Sequence, residues 1–229
     1  MSESEKFNYV TELYPLDQTL LKVSHVPMEG DTVFCSRGPV QLLKCLASGG
    51  EGYVYLTDTD LVCKIYRKEK LTRSKLEKLQ LMVSKRIEYP GICWSVELVY
   101  NKTNEFVGFM MPRASGKESQ KCLFVKPLLL KHFPHWKKRD TVQLALTILD
   151  KIKYLHERNV ILGDINPLNI LVVSPTEVYF VDTDSYQIEG YPCPVVRSIL
   201  RLRRFNEKTS LLFCEPLNMN ILPLQPCCS

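Results

Sequence analysis

Two apolar runs, each closing on a polar residue able to bind a metal, constrain this chain more than anything else in it. Val160-Ile161-Leu162-Gly163-Asp164-Ile165-Asn166-Pro167-Leu168-Asn169-Ile170-Leu171-Val172 places an acid and, five residues on, an amide between two β-type segments. Thirteen residues after Asn169, Asp182 ends a second run, Val178-Tyr179-Phe180-Val181. Strands predicted near 169–173 and 177–181 present Asp164, Asn169 and Asp182 at one end of a hairpin-like unit. That oxygen set suits Mg²⁺, which takes one or two carboxylates together with substrate phosphates. A hydroxyl-activating carboxylate beside a metal-holding amide is also what phosphoryl transfer needs.

Upstream lie two further signals in a fixed order. Leu46-Ala47-Ser48-Gly49-Gly50-Glu51-Gly52-Tyr53-Val54-Tyr55 is glycine-rich, so backbone N–H groups can approach a phosphate where a Cβ would clash. Asp60-Leu61-Val62-Cys63-Lys64-Ile65-Tyr66 reads as a strand with a lysine embedded among apolar residues. Burying that ammonium is costly without an anionic partner, which a phosphate or a carboxylate on a neighbouring helix would supply. Each signal alone has a plainer reading: a hairpin turn, a solvent-facing lysine, an Asp or Asn in a turn. The order in which they follow one another gives them weight.

Motif by motif, the chain resembles the protein-kinase superfamily. Leu46 to Val54 is similar to the nucleotide-covering loop L-G-x-G-x-x-G-x-V, with Ala47 at the first glycine. Val62-Cys63-Lys64-Ile65 resembles the V-A-I-K strand, and Val107-Gly108-Phe109-Met110-Met111-Pro112-Arg113 a fifth strand running into the adenine-gripping hinge. Leu162 to Asn169 is similar to the catalytic loop H-R-D-L-K-P-x-N, and Asp182-Thr183-Asp184 stands where D-F-G is expected. The G-D-I-N-P-x-N and V-D-T-D details resemble a bacterial branch of Ser/Thr kinase-like proteins.

The resemblance implies ATP and Mg²⁺ as cofactors and a role for each matching residue. Lys64 would pair the α- and β-phosphates, and Gly49, Gly50 and Gly52 would cover them. Ala47, Val54 and Met111 complete the nucleotide-contacting set. Asp164 would accept or orient the substrate hydroxyl proton, with Asn166 beside it, and Asn169 and Asp182 would hold Mg²⁺. A helix spanning about 71–88, with apolar Leu76, Leu79, Met82, Val83 and Ile87, would carry the lysine's carboxylate partner. Glu77 is the choice there, with Glu69 and Glu88 as competitors.

The departures are as informative. Leu162 and Gly163 replace the His-Arg before the catalytic acid, so activation-loop phosphorylation has no arginine to pair with in this loop. Asn166 replaces a lysine that supports the transferring phosphate, and Thr183 and Asp184 replace the Phe-Gly hinge. After Val195 no A-P-E appears; Cys214-Glu215-Pro216 is a poor substitute, and an arginine cluster from Arg197 to Arg204 leads into a tail ending Cys227-Cys228-Ser229. The expectation is a truncated product or a reading-frame change after Val195, with a minimal kinase-like module as the third possibility.

Composition sets the remaining bounds. With 45% hydrophobic and 24% charged residues among 229, the chain has ordinary globular character and enough length for a substantial core. A net charge of +5 gives no indication of a nucleic-acid partner. Nine cysteines without C-x-x-C spacing speak against a zinc site and for reduced thiols in a cytoplasmic setting. The polar start and the absence of a long apolar run give no secretory signal or membrane partner. His132, His135 and His156 read as loop or helix-end residues.

The expected fold is α+β and protein-kinase-like: an N-terminal extension over 1–37, a β-rich N-lobe over 38–112, an incomplete helical C-lobe over 113–195 and an atypical tail over 196–229. Strands are predicted near 40–47, 52–57, 61–66, 95–100 and 106–111, and a loop from Arg113 to Gln120. A long helix over 139–157 carries Val142, Leu146, Leu149, Ile152 and Leu155 on one face. The function expected is ATP-dependent phosphoryl transfer to Ser/Thr hydroxyls of a protein substrate. An inactive ATP-binding pseudokinase or interaction fragment is the first alternative, and a small-molecule kinase of related fold the second.

Overall fold

The computed structural model describes residues 14–163 and 166–193. The expectations placed on Asp164, on 1–13 and on the tail from Pro194 lie outside the described residues.

Strands β1 (Thr32–Cys35), β2 (Gly38–Ser48), β3 (Gly52–Thr57) and β4 (Leu61–Tyr66) follow one another as antiparallel hairpins. Helix α1 (Arg73–Lys85) interrupts them before β5 (Glu97–Tyr100) and β6 (Phe106–Pro112). Neighbours run β1-β2-β3-β4-β6-β5, and one pair, Phe34 opposite Tyr100, joins β1 to β5 and closes a six-stranded barrel. The five-strand expectation lacked β1, so the closure corrects it; the strand-rich lobe already begins at Thr32. Five of the six β4 residues are buried, because β3 and β6 flank it. Gly108 permits that pairing, since a Cβ there would lie 2.0 Å from the Lys64 carbonyl oxygen.

Thr72 caps α1 by accepting a 3.3 Å bond from the Lys75 N–H, and Arg86 ends it in the left-handed region at φ 46°. These two caps make the helix shorter than the 71–88 expected. It buries Ser74, Lys78, Leu79 and Met82, and the Met82 carbonyl accepts from the buried Trp94 indole at 2.8 Å.

Beyond β6 the expected 113–120 loop contains β7 (Lys117–Glu118) and the start of α2 (Ser119–Cys122). Helix α3 (Lys126–His132) follows, then the long α4 (Lys138–His156), and His132 therefore ends a helix rather than lying in a loop. Short strands β8 (Val160–Ile161), β9 (Ile170–Ser174), β10 (Glu177–Phe180) and β11 (Gln187–Ile188) complete the described chain. β9 sits between β10 and β7, and β11 pairs with β8. The architecture is α+β, as expected, with strands dominating. Among the described residues no helix is long and apolar enough to cross a membrane.

The face read for α4 holds at Leu155 and Ile152 and is corrected at Val142, Leu146 and Leu149. Leu144, Lys151 and Leu155 are buried and Ile148 is partly so, whereas Val142, Leu146 and Leu149 are 51–61% exposed. The helix carries two apolar lines two residues out of phase, roughly opposite sides of a 3.6-residue turn. Period alone cannot choose between them. Lys151 hides the buried line; its ammonium donates to the Pro90 carbonyl and lies 4.9 Å from the Tyr89 ring centre.

Two sets of backbone bonds hold the barrel and α1 to neighbouring segments. Phe180 N donates to the Gly91 carbonyl (2.7 Å) and Cys93 N to the Phe180 carbonyl (3.0 Å), stitching the 89–94 loop to β10. An N-terminal strap bonds along α1: Leu21 N to Leu71 O, Arg73 N to Thr19 O and Ser74 N to Asp17 O. At its start Tyr14 N donates to the Gly190 carbonyl at 2.7 Å, and the Tyr14 and Tyr191 rings meet edge to face.

Candidate functional site

Residues expected to contact a nucleotide fall in one register across the barrel. Ala47 lies opposite Val54, Val54 opposite Lys64, and Lys64 opposite Phe109, while Met111 is two residues along β6 and opposite Val62. Cross-strand partners share a face of the sheet, so Ala47, Val54, Lys64 and Met111 project to the same side. Gly49 and Gly50 form the tip of the β2–β3 hairpin, where Gly49 N donates to Gly52 O, and a Cβ on either would meet nothing within 4 Å. Gly52 differs: a Cβ there would come 2.1 Å from the Ile65 carbonyl oxygen, so glycine is required for β3 to pair with β4. Cations from the β4–α1 region tie the tip down. Arg67 donates to the Gly49 carbonyl (3.0 Å) and covers the Tyr53 ring, and Lys75 and Lys70 pair with Glu51.

The β9–β10 hairpin supplies the opposite wall. Its register pairs Ile170 with Phe180, and Val181 N donates to Asn169 O at 3.0 Å, so Asn169 and Asp182 stand together at the open end, as the spacing requires. Asn166 is buried and spends its side-chain oxygen on the Leu168 N–H (3.1 Å), capping the short turn Pro167–Asn169. That is a structural job at a position read as catalytic.

Asp182 adopts left-handed backbone geometry (φ 58°, ψ 37°), which Asp tolerates better than most residues. The turn it starts is closed by Ser185 bonding back to the Asp182 carbonyl and by the Thr183 hydroxyl donating to the Cys93 carbonyl at 2.7 Å. Two carboxylates are thereby aimed at one lysine. Lys64 Nζ donates to Asp182 Oδ1 at 2.7 Å and to both oxygens of Asp184 at 2.7 and 2.8 Å. The Tyr66 hydroxyl donates to Asp184 at 2.6 Å, and Lys78 Nζ to the Asp184 carbonyl at 2.8 Å.

Glu77 is not in this cluster, which corrects its assignment as the lysine's partner. Its carboxylate meets Arg73 at 3.3 Å and the Tyr191 hydroxyl at 3.4 Å and is 40% exposed. The buried charged residue of α1 that reaches this turn is Lys78, a cation bonded to the Asp184 carbonyl. Sequence reasoning also assigned no role to Asp184 or Tyr66; the Lys-x-Tyr spacing, which puts both side chains on one face of β4, was the available signal for Tyr66.

Charge follows the geometry. Burial pushes the Lys64 ammonium down, but Asp184 and Asp182 outweigh it and hold its pKa above the usual lysine value. Burial likewise pushes the Asp184 carboxyl up, and the Lys64 charge with bonds from Lys64 and Tyr66 brings it below the ordinary carboxylate range. Asp182 goes the other way: burial, then the neighbouring Asp184 charge, raise it. Lys78 is pushed down to about 8, chiefly by burial.

Magnesium fits this wall in a particular sense. No group of three or more His, Cys, Asp or Glu among the described residues forms a metal cage, and Mg²⁺ needs none when phosphates complete its shell. The Asp182 side chain is 39% exposed, against 8% for Asp184, so Asp182 is the carboxylate open to a ligand. Asn169 at the same hairpin end is the amide that would stand beside it.

No protein-family model matches the chain. Protein kinase YegI of Escherichia coli strain K12 is 29% identical over 166 residues, covering 69% of this chain and 25% of that protein. The meiosis-specific serine/threonine-protein kinase mek1 of Schizosaccharomyces pombe is 28% identical over 143 residues, 60% of this chain and 30% of that protein. The chain thus spans about a quarter of the length of the YegI relatives it matches. These similarities support a relationship to the protein-kinase superfamily, although a closed six-stranded barrel is not typical of a kinase N-lobe.

Proposed function

We propose that this chain carries the nucleotide-binding part of a Mg·ATP-dependent phosphotransferase acting on Ser/Thr hydroxyls of a protein. The observation that carries the reading is the meeting of Lys64 and Asp182, 118 residues apart, at 2.7 Å. A phosphate-pairing cation and a metal-holding carboxylate must converge for phosphoryl transfer, because catalysis there is positioning plus electrostatic stabilisation. In this reading Lys64 binds the α- and β-phosphates, the Gly49–Gly52 tip closes over them, and Ala47, Val54 and Met111 face the nucleotide. Asn169 and Asp182 would hold Mg²⁺, which supplies charge neutralisation at the phosphates. Asp164 is assigned as the base on its sequence position alone.

A second reading, nucleotide binding without transfer, is favoured by Asn166, whose side-chain oxygen is committed to the backbone where a phosphate-supporting lysine would stand. Transfer of ³²P from γ-labelled ATP to generic protein substrates separates the two, with Asp164→Ala and Lys64→Met alongside. Transfer lost in both variants supports the phosphotransferase. Transfer that persists in Asp164→Ala shows that the base is misassigned. No transfer, combined with a magnesium-dependent ATP shift in melting temperature, establishes the second reading.

A further inference from the structure

We infer that Asp184, rather than a carboxylate on α1, is the anionic anchor that positions Lys64; its bearing on nucleotide binding rests on the phosphotransferase reading above. Both Asp184 oxygens lie within 2.8 Å of the Lys64 ammonium, and the two side chains are 8% and 7% exposed. Tyr66 donates to the same carboxylate and Lys78 to the same residue's carbonyl. The pair is thus buried and hydrogen-bonded on several sides, the condition under which a buried ion pair repays its desolvation. Asp182 touches Lys64 through one oxygen and is far more open. It can turn to a metal while Asp184 keeps hold of the lysine.

Helix α1 offers no competing anchor. Glu77 is occupied with Arg73 and Tyr191, and the neighbouring Lys78 is a cation held on the Asp184 carbonyl. Lys78 supplies no anion, and the carboxylates within reach of Lys64 are those of Asp184 and Asp182. One short turn, Asp182 to Asp184, therefore sets both the metal ligand and the lysine. From α1, Lys78 fixes the backbone of that turn.

A double-mutant cycle on stability, measured by urea unfolding without nucleotide, tests the anchor. Lys64→Met and Asp184→Asn each lower the folding equilibrium constant, and the double variant loses at least tenfold less than the product of the two. The same cycle with Glu77→Gln in place of Asp184→Asn is multiplicative within about threefold, the expectation for uncoupled sites. Multiplicative behaviour of Lys64→Met with Asp184→Asn overturns the inference. Should Asp184→Asn fail to fold, folding of the double variant supports it and failure of the double overturns it. Mg·ATP titration followed by melting temperature then separates positioning from mere support. A tenfold weaker affinity in Asp184→Asn, restored at least in part by Asp184→Glu, is expected; unchanged affinity overturns the positioning role. A wild-type chain indifferent to Mg·ATP sinks the phosphotransferase reading, while the nucleotide-free cycle still decides the anchor.

Discussion

Lys78→Met is the perturbation whose outcome is most tightly bound to the geometry. Lys78 is 8% exposed, and its ammonium has one carbonyl partner, that of Asp184. Burial pushes its pKa from 10.5 to about 8, with the Asp184 carboxylate opposing the shift. At pH 7 keeping this lysine charged costs about 3 kcal/mol relative to the unfolded chain. Methionine removes that cost and forfeits an ammonium–carbonyl bond worth about 1.5–3 kcal/mol, so the two variants have similar stability there. The pH dependence is what separates them. Above pH 8 the native lysine releases its proton while the unfolded one keeps it to about 10.5, so the unfolded state binds more protons and stability rises with pH. Integrated from pH 7 to 9.5, the wild type gains about 2 kcal/mol over Lys78→Met. Urea unfolding at both pH values, read by tryptophan emission, measures the gap; Trp94, buried and bonded to the Met82 carbonyl one turn along α1, is a local reporter. A gap that stays flat or narrows would refute the placement of Lys78 as a buried cation, whatever becomes of the other groups titrating in that range.

Gly108→Ala drives a methyl into the Lys64 carbonyl and is expected to destabilise by about 1–3 kcal/mol or more, with a matching drop in melting temperature. The two apolar lines of α4 predict opposite outcomes: Leu155→Ala, fully buried, costs about 2–5 kcal/mol, whereas Leu149→Gln stays within about 0.5 kcal/mol. Equal losses in urea titrations would reverse the orientation assigned to that helix. Glu51→Gln removes a partly exposed anchor of the glycine-rich tip, so stability changes by less than about 1 kcal/mol, but limited proteolysis between residues 48 and 52 accelerates.

The strands at 52–57 and 61–66 were legible because alternation and turn residues agree locally. So was the hairpin that brings Asn169 to Asp182. What the sequence did not disclose depends on partners far along the chain. β1 is four residues long and closes the barrel through Phe34 and Tyr100 alone. A place inside the apolar-periodic helix made Glu77 the choice as partner for Lys64, yet the adjacent Lys78 is the buried one, through a carbonyl 106 residues away. Asp184 stood at a position where the resemblance directs attention to a missing glycine, and its carboxylate gained meaning only once Lys64, 120 residues earlier, came within reach. On α4 two apolar lines share one period, and only the neighbouring strands select between them.

The strap also has a consequence for the order in which this molecule is completed during synthesis. Tyr14 emerges from the ribosome well ahead of its partner, because the carbonyl it bonds belongs to Gly190. At about 5–20 residues per second the interval between the two is on the order of ten seconds or more. The barrel strands, with pairing partners all within 32–112, can assemble during that wait. The clamp that joins the strap to the segment after the Asp182 turn cannot. A nascent chain arrested before Asp182 would therefore hold a formed barrel whose Lys64 still lacks Asp182 and Asp184, and a probe of that lysine's accessibility would time the moment at which the site comes into being.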